Sequence, residues 1–431
     1  MNKKVLVISP YFPPANAADM QRVRMSLPYF ACLGWDATIV TVDEQYTDIA
    51  KDDLLLQTVP DHIKIYKVKA LNKKRTSKLG MGSLALRSLW FYRQKVNSLL
   101  KKEKFDLVYF STTQFPVCVL GAYWKKRFGI PYIIDMQDPW YSEHYKSKPA
   151  HHRPPKYGVA YSLHKYLEAI AMKNVGGLIS VSENYITDLQ HRYPEISNIP
   201  SAVITFGAFE PDLKIAADNK AQFKSILDPS TKNVVYIGRG GIDLHKAIIP
   251  VFEALAKRLA DKSGSFNKLK FYFIGTSYAP AGMGIQSIMP LAKQYGLESY
   301  VIEIPERISY YHTLLTLQQA DALFIAGSDD PKYTASKIYP YLLTGKPLLA
   351  IFNSQSSATA ILQEYESQHA YSYDATPALD LKVYDFLKQV LNGTIEMPEY
   401  NIQAIKKYSG QNMTMLQCAF FNKVTTKVEL L

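Results

Sequence analysis

Three cysteines in 431 residues, Cys32, Cys118 and Cys418, are too few and too far apart for a disulfide framework. They also lack the close pairing of a cysteine metal site, so a reducing compartment is expected. No run of about 18 apolar residues exists, which excludes a membrane-spanning helix. The first apolar run stops at Pro10, too short for the core of a secretory signal. Asp-x-Asp is missing throughout, which argues against a diphosphate bridged by a metal ion. There is no Gly-x-Gly-x-x-Gly with a following ribose-binding acid, and no Gly-Lys-Ser/Thr phosphate loop. Short repeats and low-complexity tracts are lacking too.

What remains is a globular composition, 47% apolar and 20% charged, in a chain long enough for two cores. The net charge of +12 is unevenly placed. Between Lys64 and Lys104 stand thirteen Lys or Arg and one acid, Glu103, interleaved with Leu84, Leu86, Leu89, Trp90, Phe91 and Tyr92. A helix of this kind suits an anionic membrane face; a solvated basic face has the same composition.

Apolar runs of strand length alternate with helical stretches along the whole chain, which predicts parallel sheets with helices on both faces. Strands are expected at 4–9, 37–42, 63–68, 107–110, 132–135 and 177–182, and the pattern restarts after Pro200. In the second half strands are expected at 233–237, 270–274, 301–304 and 322–326, with helices at 247–261, 285–295 and 310–319. A terminal helix over 403–424 would present Met413, Leu416, Phe420 and Phe421 on one face.

Two segments carry chemistry. In Val234–Ala247, Gly238, Gly240 and Gly241 follow a strand and precede a helix, so backbone can approach a phosphate closely. Arg239 and Lys246 bracket that loop and can neutralise a diphosphate. A plain tight turn would also explain the glycines. In Ser336–Phe352, Ser336 reads as a helix N-cap with Lys337 beside it, then Gly345 stops the helix and Pro347 precedes a buried strand. Pro340 inside this helix cannot donate its first hydrogen bond, so the helix is expected to tighten or start later.

These segments resemble the retaining glycosyltransferases of family four. Gly238–Lys246 looks like that family's loop for the donor diphosphate, and Ser336–Pro347 like its donor-binding helix. Asp321 resembles the acid before the preceding strand. Pro10–Pro14, Arg22, Gly34–Thr41, Asp135–Trp140 and Ser180–Glu183 resemble landmarks of its N-terminal half, in order. Two departures stand out. Lys332 and Pro340 occupy the places of the family's glutamate pair, so ribose and sugar contacts are expected from Asp329 and Asp330 instead. Asn16-Ala17-Ala18 replaces a glycine run, which puts phosphate or acceptor contact there in question.

The resemblance implies a GT-B α/β fold: two Rossmann-like domains facing a cleft, and a C-terminal helix crossing back to the N-terminal domain. Residues 1–204 would form the acceptor-side domain, 205–402 the nucleotide-sugar donor domain and 403–431 the terminal helix. It implies a glycosyltransferase of the hexosyltransferase type, retaining and metal-independent, with no cofactor. A sugar would move from a nucleotide diphosphate sugar to a glycan or lipid-linked acceptor in surface polysaccharide assembly. Arg239, Lys246, Ser336 and Lys337 would stabilise the leaving diphosphate. Asp138 would serve as the N-terminal catalytic acid or base. Asn16, Ala17, Arg22 and His144 would lie on the acceptor side, the histidine in a lid-like loop without metal-ligand spacing. The expected location is cytoplasmic and peripheral at the inner membrane face through residues 64–104. The competing reading is a non-catalytic basic protein that binds anionic glycan or nucleic acid, although no nucleic-acid motif is visible. A GT-B epimerase is also permitted.

Overall fold

The computed structural model describes residues 2–141, 157–260, 266, 268–279, 282–330 and 337–429. Val5, Leu6, Val7 and Ile8 are wholly buried in the first strand, β1 (Lys3–Ile8). A strand apolar on both faces needs cover on both faces, which parallel sheets provide. β1 pairs in parallel with β2 (Trp35–Val42) on one side and, on the other, with β4 (Leu107–Ser111), which follows β3 (Lys64–Val68) in the chain. With β5 (Tyr132–Met136), β6 (Gly177–Ser180) and β7 (Ser201–Val203) the sheet reads β3-β2-β1-β4-β5-β6-β7. Helices Gln21–Phe30, Leu84–Lys102 and Val119–Phe128 supply buried faces to its core, where Trp124 stacks on Phe110.

The second sheet runs β10-β9-β8-β11-β12-β13, all parallel. Its strands are β8 (Lys232–Ile237), β9 (Leu269–Ile274), β10 (Val301–Ile304), β11 (Ala322–Ala326), β12 (Leu348–Phe352) and β13 (Ala370–Ser372). The strand order reverses between β8 and β11, the point where open α/β sheets form a crevice at their carboxyl ends. Asp321 ties the two strand starts together, receiving Lys232 Nζ at 2.8 Å and the Asn233 amide at 2.9 Å.

The compact units are Met1–Gly207 with Gly410–Leu431, and Ala208–Ser409. The changes of unit thus fall a few residues beyond the 204 and 402 read from the sequence. The expected single terminal helix is two. Ile402–Lys407, capped by the Asn401 side chain on the Gln403 amide at 2.8 Å, belongs to the second unit. Gly410–Glu429 belongs to the first. The break comes where the Tyr408 carbonyl accepts the Ala208 amide at 2.7 Å. Beyond it, Phe421 packs on Phe30, Trp35 and Tyr109, and Gln417 donates to Ser26 Oγ at 3.0 Å. The helix expected over 285–295 is only Met289–Gln294, because the buried Glu303 carboxylate takes the amides of Ser287, Ile288 and Met289. Helices Glu210–Asp218, Ser357–Glu364 and Leu379–Asn392, and strand β13, are additions to the sequence reading. No helix among the described residues is long and apolar enough to cross a membrane.

Candidate functional site

The loop after β8 begins with Gly238, whose amide donates to the Ile274 carbonyl at 2.9 Å, while the Gly240 amide donates to Thr276 at 2.8 Å. Both bonds hold the loop against the end of β9. A Cβ on Gly238 would collide with Lys337 Nζ and come within 2.8 Å of Tyr236 Oη. With glycine there, the ammonium can lie directly on the backbone.

That ammonium is the most unusual group in the second unit. Lys337 Nζ is buried and has no hydrogen-bond partner among the described residues. Burial, then the charges of Arg307 and Arg239, lower its pKa to about 8. An unpaired buried cation beside two more cations costs folding free energy, and an incoming anion would offset that cost. Lys337 directly precedes the helix Ile338–Leu343, with helical angles and no side-chain cap bond. The helix therefore starts later than an N-cap at Ser336 would require, and Pro340 falls in its first turn, where a missing amide is tolerated. At six residues it is short, so the segment contributes the Lys337 side chain rather than an array of helix amides. Ser336 lies outside the described residues.

Arg239 is fixed by Asp243: Nη1 donates to Oδ1 at 2.9 Å and Nη2 to Oδ2 at 2.6 Å. Ser328 Oγ, beyond β11, donates to the same Oδ2 at 2.7 Å, and the Asp329 amide donates to the Asp243 carbonyl at 2.8 Å. These bonds join the loops on both sides of the strand-order reversal. The Arg239 hydrogen bonds hold the Asp243 carboxyl below the usual carboxylate range. Asp329 and Asp330 lie on the exposed turn after β11, and Lys246 is exposed on the first turn of the helix His245–Ala260. The structure thus brings Gly238, Arg239 and Lys337 together and leaves Lys246, Asp329 and Asp330 at the surface.

In the first unit Arg22 is wholly buried. Its Nε lies 2.7 Å from Asp135 Oδ2, and its Nη atoms donate to the carbonyls of Ile204 at 2.8 Å and Thr205 at 3.2 Å. Asp135 also accepts from Tyr109, Ser111 and Gln137. Arg22 is therefore a strut joining the helix Gln21–Phe30 to β5 and to the chain beyond β7. The backbone of Asn16 is pinned by the Ala50 carbonyl at 2.8 Å, and Ala17 is buried. Asp138 is exposed after β5; desolvation first, then the charge of Asp19, raises its carboxyl pKa. Asp19 is buried, accepts Thr112 and Thr113, and is itself raised by burial. His144 lies outside the described residues.

Sequence reasoning missed Arg307, Asp243, Ser328 and Glu303. Asp243 stands four residues after Arg239, a spacing that brings side chains together in a helical turn. Glu303 had a signal as an acid inside the otherwise apolar Val301–Ile304. Arg307 and Ser328 had none, since both depend on which loops become neighbours.

Two parallel α/β sheets with this strand order define the GT-B fold class. Similar solved structures agree. The N-terminal domain of a Candida albicans trehalose-6-phosphate phosphatase matches with a TM-score of 0.62 at 11% identity, over 98% of this chain and 97% of that one. The apo form of the lipopolysaccharide outer core galactosyltransferase WaaB matches with a TM-score of 0.53 at 14% identity, over 97% and 99%. An E. coli structure described as trehalose-6-phosphate bound with UDP-2-fluoro glucose gives 0.52 at 10% identity, over 100% and 99%. No family model and no curated protein matches the sequence. At these identities the likeness concerns the fold.

Proposed function

We propose that the chain is a glycosyltransferase that moves a sugar from a nucleotide diphosphate sugar to a glycan or lipid-linked acceptor in surface polysaccharide assembly. The observation that carries this reading is the Lys337 ammonium, without a hydrogen-bond partner among the described residues, lying on Gly238 of the loop after β8, beside the charges of Arg239 and Arg307. A leaving diphosphate gains negative charge as the glycosidic bond breaks, and preorganised cations stabilise that charge most where water is sparse. The named similar structures include a galactosyltransferase and one bound to UDP-2-fluoro glucose, which supports a sugar nucleotide as donor.

In this reading the second unit is the donor domain. Gly238, Gly240 and Gly241 line the diphosphate with Arg239 and Lys337, Lys246 adds a further cation, and Ser336 supplies a hydroxyl. Asp329 and Asp330 offer carboxylates to ribose or sugar hydroxyls. The first unit is the acceptor side. Asp138, whose raised pKa suits proton transfer, acts as the base on the acceptor hydroxyl, with Asn16, Ala17 and His144 near the acceptor. Transfer is retaining and needs no metal. The basic stretch 64–104 rests on the inner face of an anionic membrane, with Trp90, 62% exposed, as its apolar contact.

A thermal-shift screen of nucleotide sugars tests the donor claim, because a true donor at 100 times its Kd adds about 2.7 kcal/mol. The hit should be hydrolysed slowly by the wild-type protein and not by Arg239→Ala. A protein stabilised by none of them, and by DNA or an anionic glycan instead, would be a binding module.

A further inference from the structure

A site built to receive a diphosphate would be expected to keep negative charge away, yet Asp243 sits at its heart. Its two carboxylate oxygens take both Nη atoms of Arg239, the arrangement a phosphate would also take. The carboxylate is held in place from behind by Ser328 Oγ at 2.7 Å, and its own carbonyl by the Asp329 amide at 2.8 Å. Room for it is made by Gly241, which has φ of +140° and where a Cβ would stand 2.5 Å from Asp243 Oδ1. Three features, the Ser328 hydroxyl, the Asp329 amide and the bare Gly241, therefore converge on placing one carboxylate against one guanidinium.

We propose that Asp243 is a positioning residue and an internal competitor: it aims the Arg239 guanidinium in the empty site and competes with the donor diphosphate for it. The proposal rests on the donor-site reading above and adds its regulation. Around Asp243 the facing groups are Arg239 on its own loop, and Ser328 and the Asp329 amide beyond β11. The carboxylate is anionic throughout neutral pH, because the Arg239 hydrogen bonds hold its pKa low. It neutralises Arg239 and weakens the pull of that guanidinium on any anion. When the diphosphate arrives, Arg239 is shared between two anions or handed over. Loose binding of diphosphate after transfer is the advantage, since a site of three unopposed cations would retain its product.

The consequence separates affinity from turnover. Asp243→Asn removes the competing charge and the aim together. Inorganic pyrophosphate and UDP should bind the variant about three- to tenfold more tightly by calorimetry. Hydrolysis of a nucleotide sugar that the wild type turns over should fall about 10- to 100-fold in kcat, with a lower KM. Damage to the fold cannot raise affinity, so tighter binding is the signature. Ser328→Ala keeps the charge and should leave pyrophosphate affinity within about twofold while lowering kcat modestly. Equal or weaker pyrophosphate and UDP binding by Asp243→Asn would overturn the proposal, as would tightening by Ser328→Ala of the same size. A wild-type protein that binds neither probe would overturn the donor-site reading along with it.

Discussion

Arg22 in the first unit and Lys337 in the second are both drawn out of water, and they are treated in opposite ways. Arg22 meets a carboxylate at 2.7 Å and two backbone carbonyls, and Asp135 receives three further donors. Lys337 meets two more cations and no hydrogen-bond acceptor among the described residues. A buried charge set against a counter-ion is part of the scaffold. A buried charge without one is a cost that only a ligand would offset, and for that reason the second unit holds the candidate site. A third group of cations, Lys73, Lys74, Arg75 and Lys78, is neither paired in a core nor buried but stands exposed beside the helix Leu84–Lys102.

The contrast can be broken most sharply by removing each charge. Arg22→Met should strand Asp135 and lower stability by about 3–5 kcal/mol in urea unfolding. Lys337→Met should leave stability equal or higher and weaken nucleoside diphosphate binding about 10- to 100-fold by calorimetry. If the two variants exchanged these outcomes, the assignment of strut and site would be reversed.

Acidity sharpens it next. The Lys337 pKa in the folded chain is about 8, below the ordinary 10.5. The ammonium is present below about pH 8 and is lost as pH rises through it. Diphosphate affinity should therefore fall between pH 7 and 9.5, where the phosphates keep a constant charge. Between about pH 8 and 10.5 the unfolded chain holds more protons than the folded one at this residue, so this lysine makes stability rise with pH. Both trends should vanish in Lys337→Met; an unchanged affinity profile in that variant would assign the titration to another group.

The smallest effect concerns the exposed cations. Lys74→Gln and Lys78→Gln should each weaken binding to vesicles with anionic lipid about fivefold, at roughly 1 kcal/mol per basic residue. Trp90→Ser should weaken it comparably. Flotation that ignores anionic lipid would leave these lysines as an ordinary solvated face.

Much of the fold was legible along the chain. Runs such as Val5–Ile8 and Ala322–Ala326 are apolar on both faces, and alternating with helical stretches they signal parallel sheets whatever surrounds them. The pairing of the glycine loop with Lys337, whose ammonium lies against Gly238, was expected from the family resemblance. The break at Tyr408 was not, since Met413, Phe420 and Phe421 read as one continuous helical face with the residues before them. Nor was the role of Arg22, because its partners Asp135 and Ile204 lie more than a hundred residues away.

The sequence by itself determined the alternating elements, the two sheets and the places where backbone must stay bare, because periodicity and turn chemistry are local. Only the tertiary structure decided which charges are struts and which are waiting for a ligand. Arg22 and Lys337 are both basic residues at the start of a helix. Their difference arises from what the loops after β8 and β11, and the ends of β5 and β7, place against them, and burial and pairing are properties of neighbours far apart in the chain.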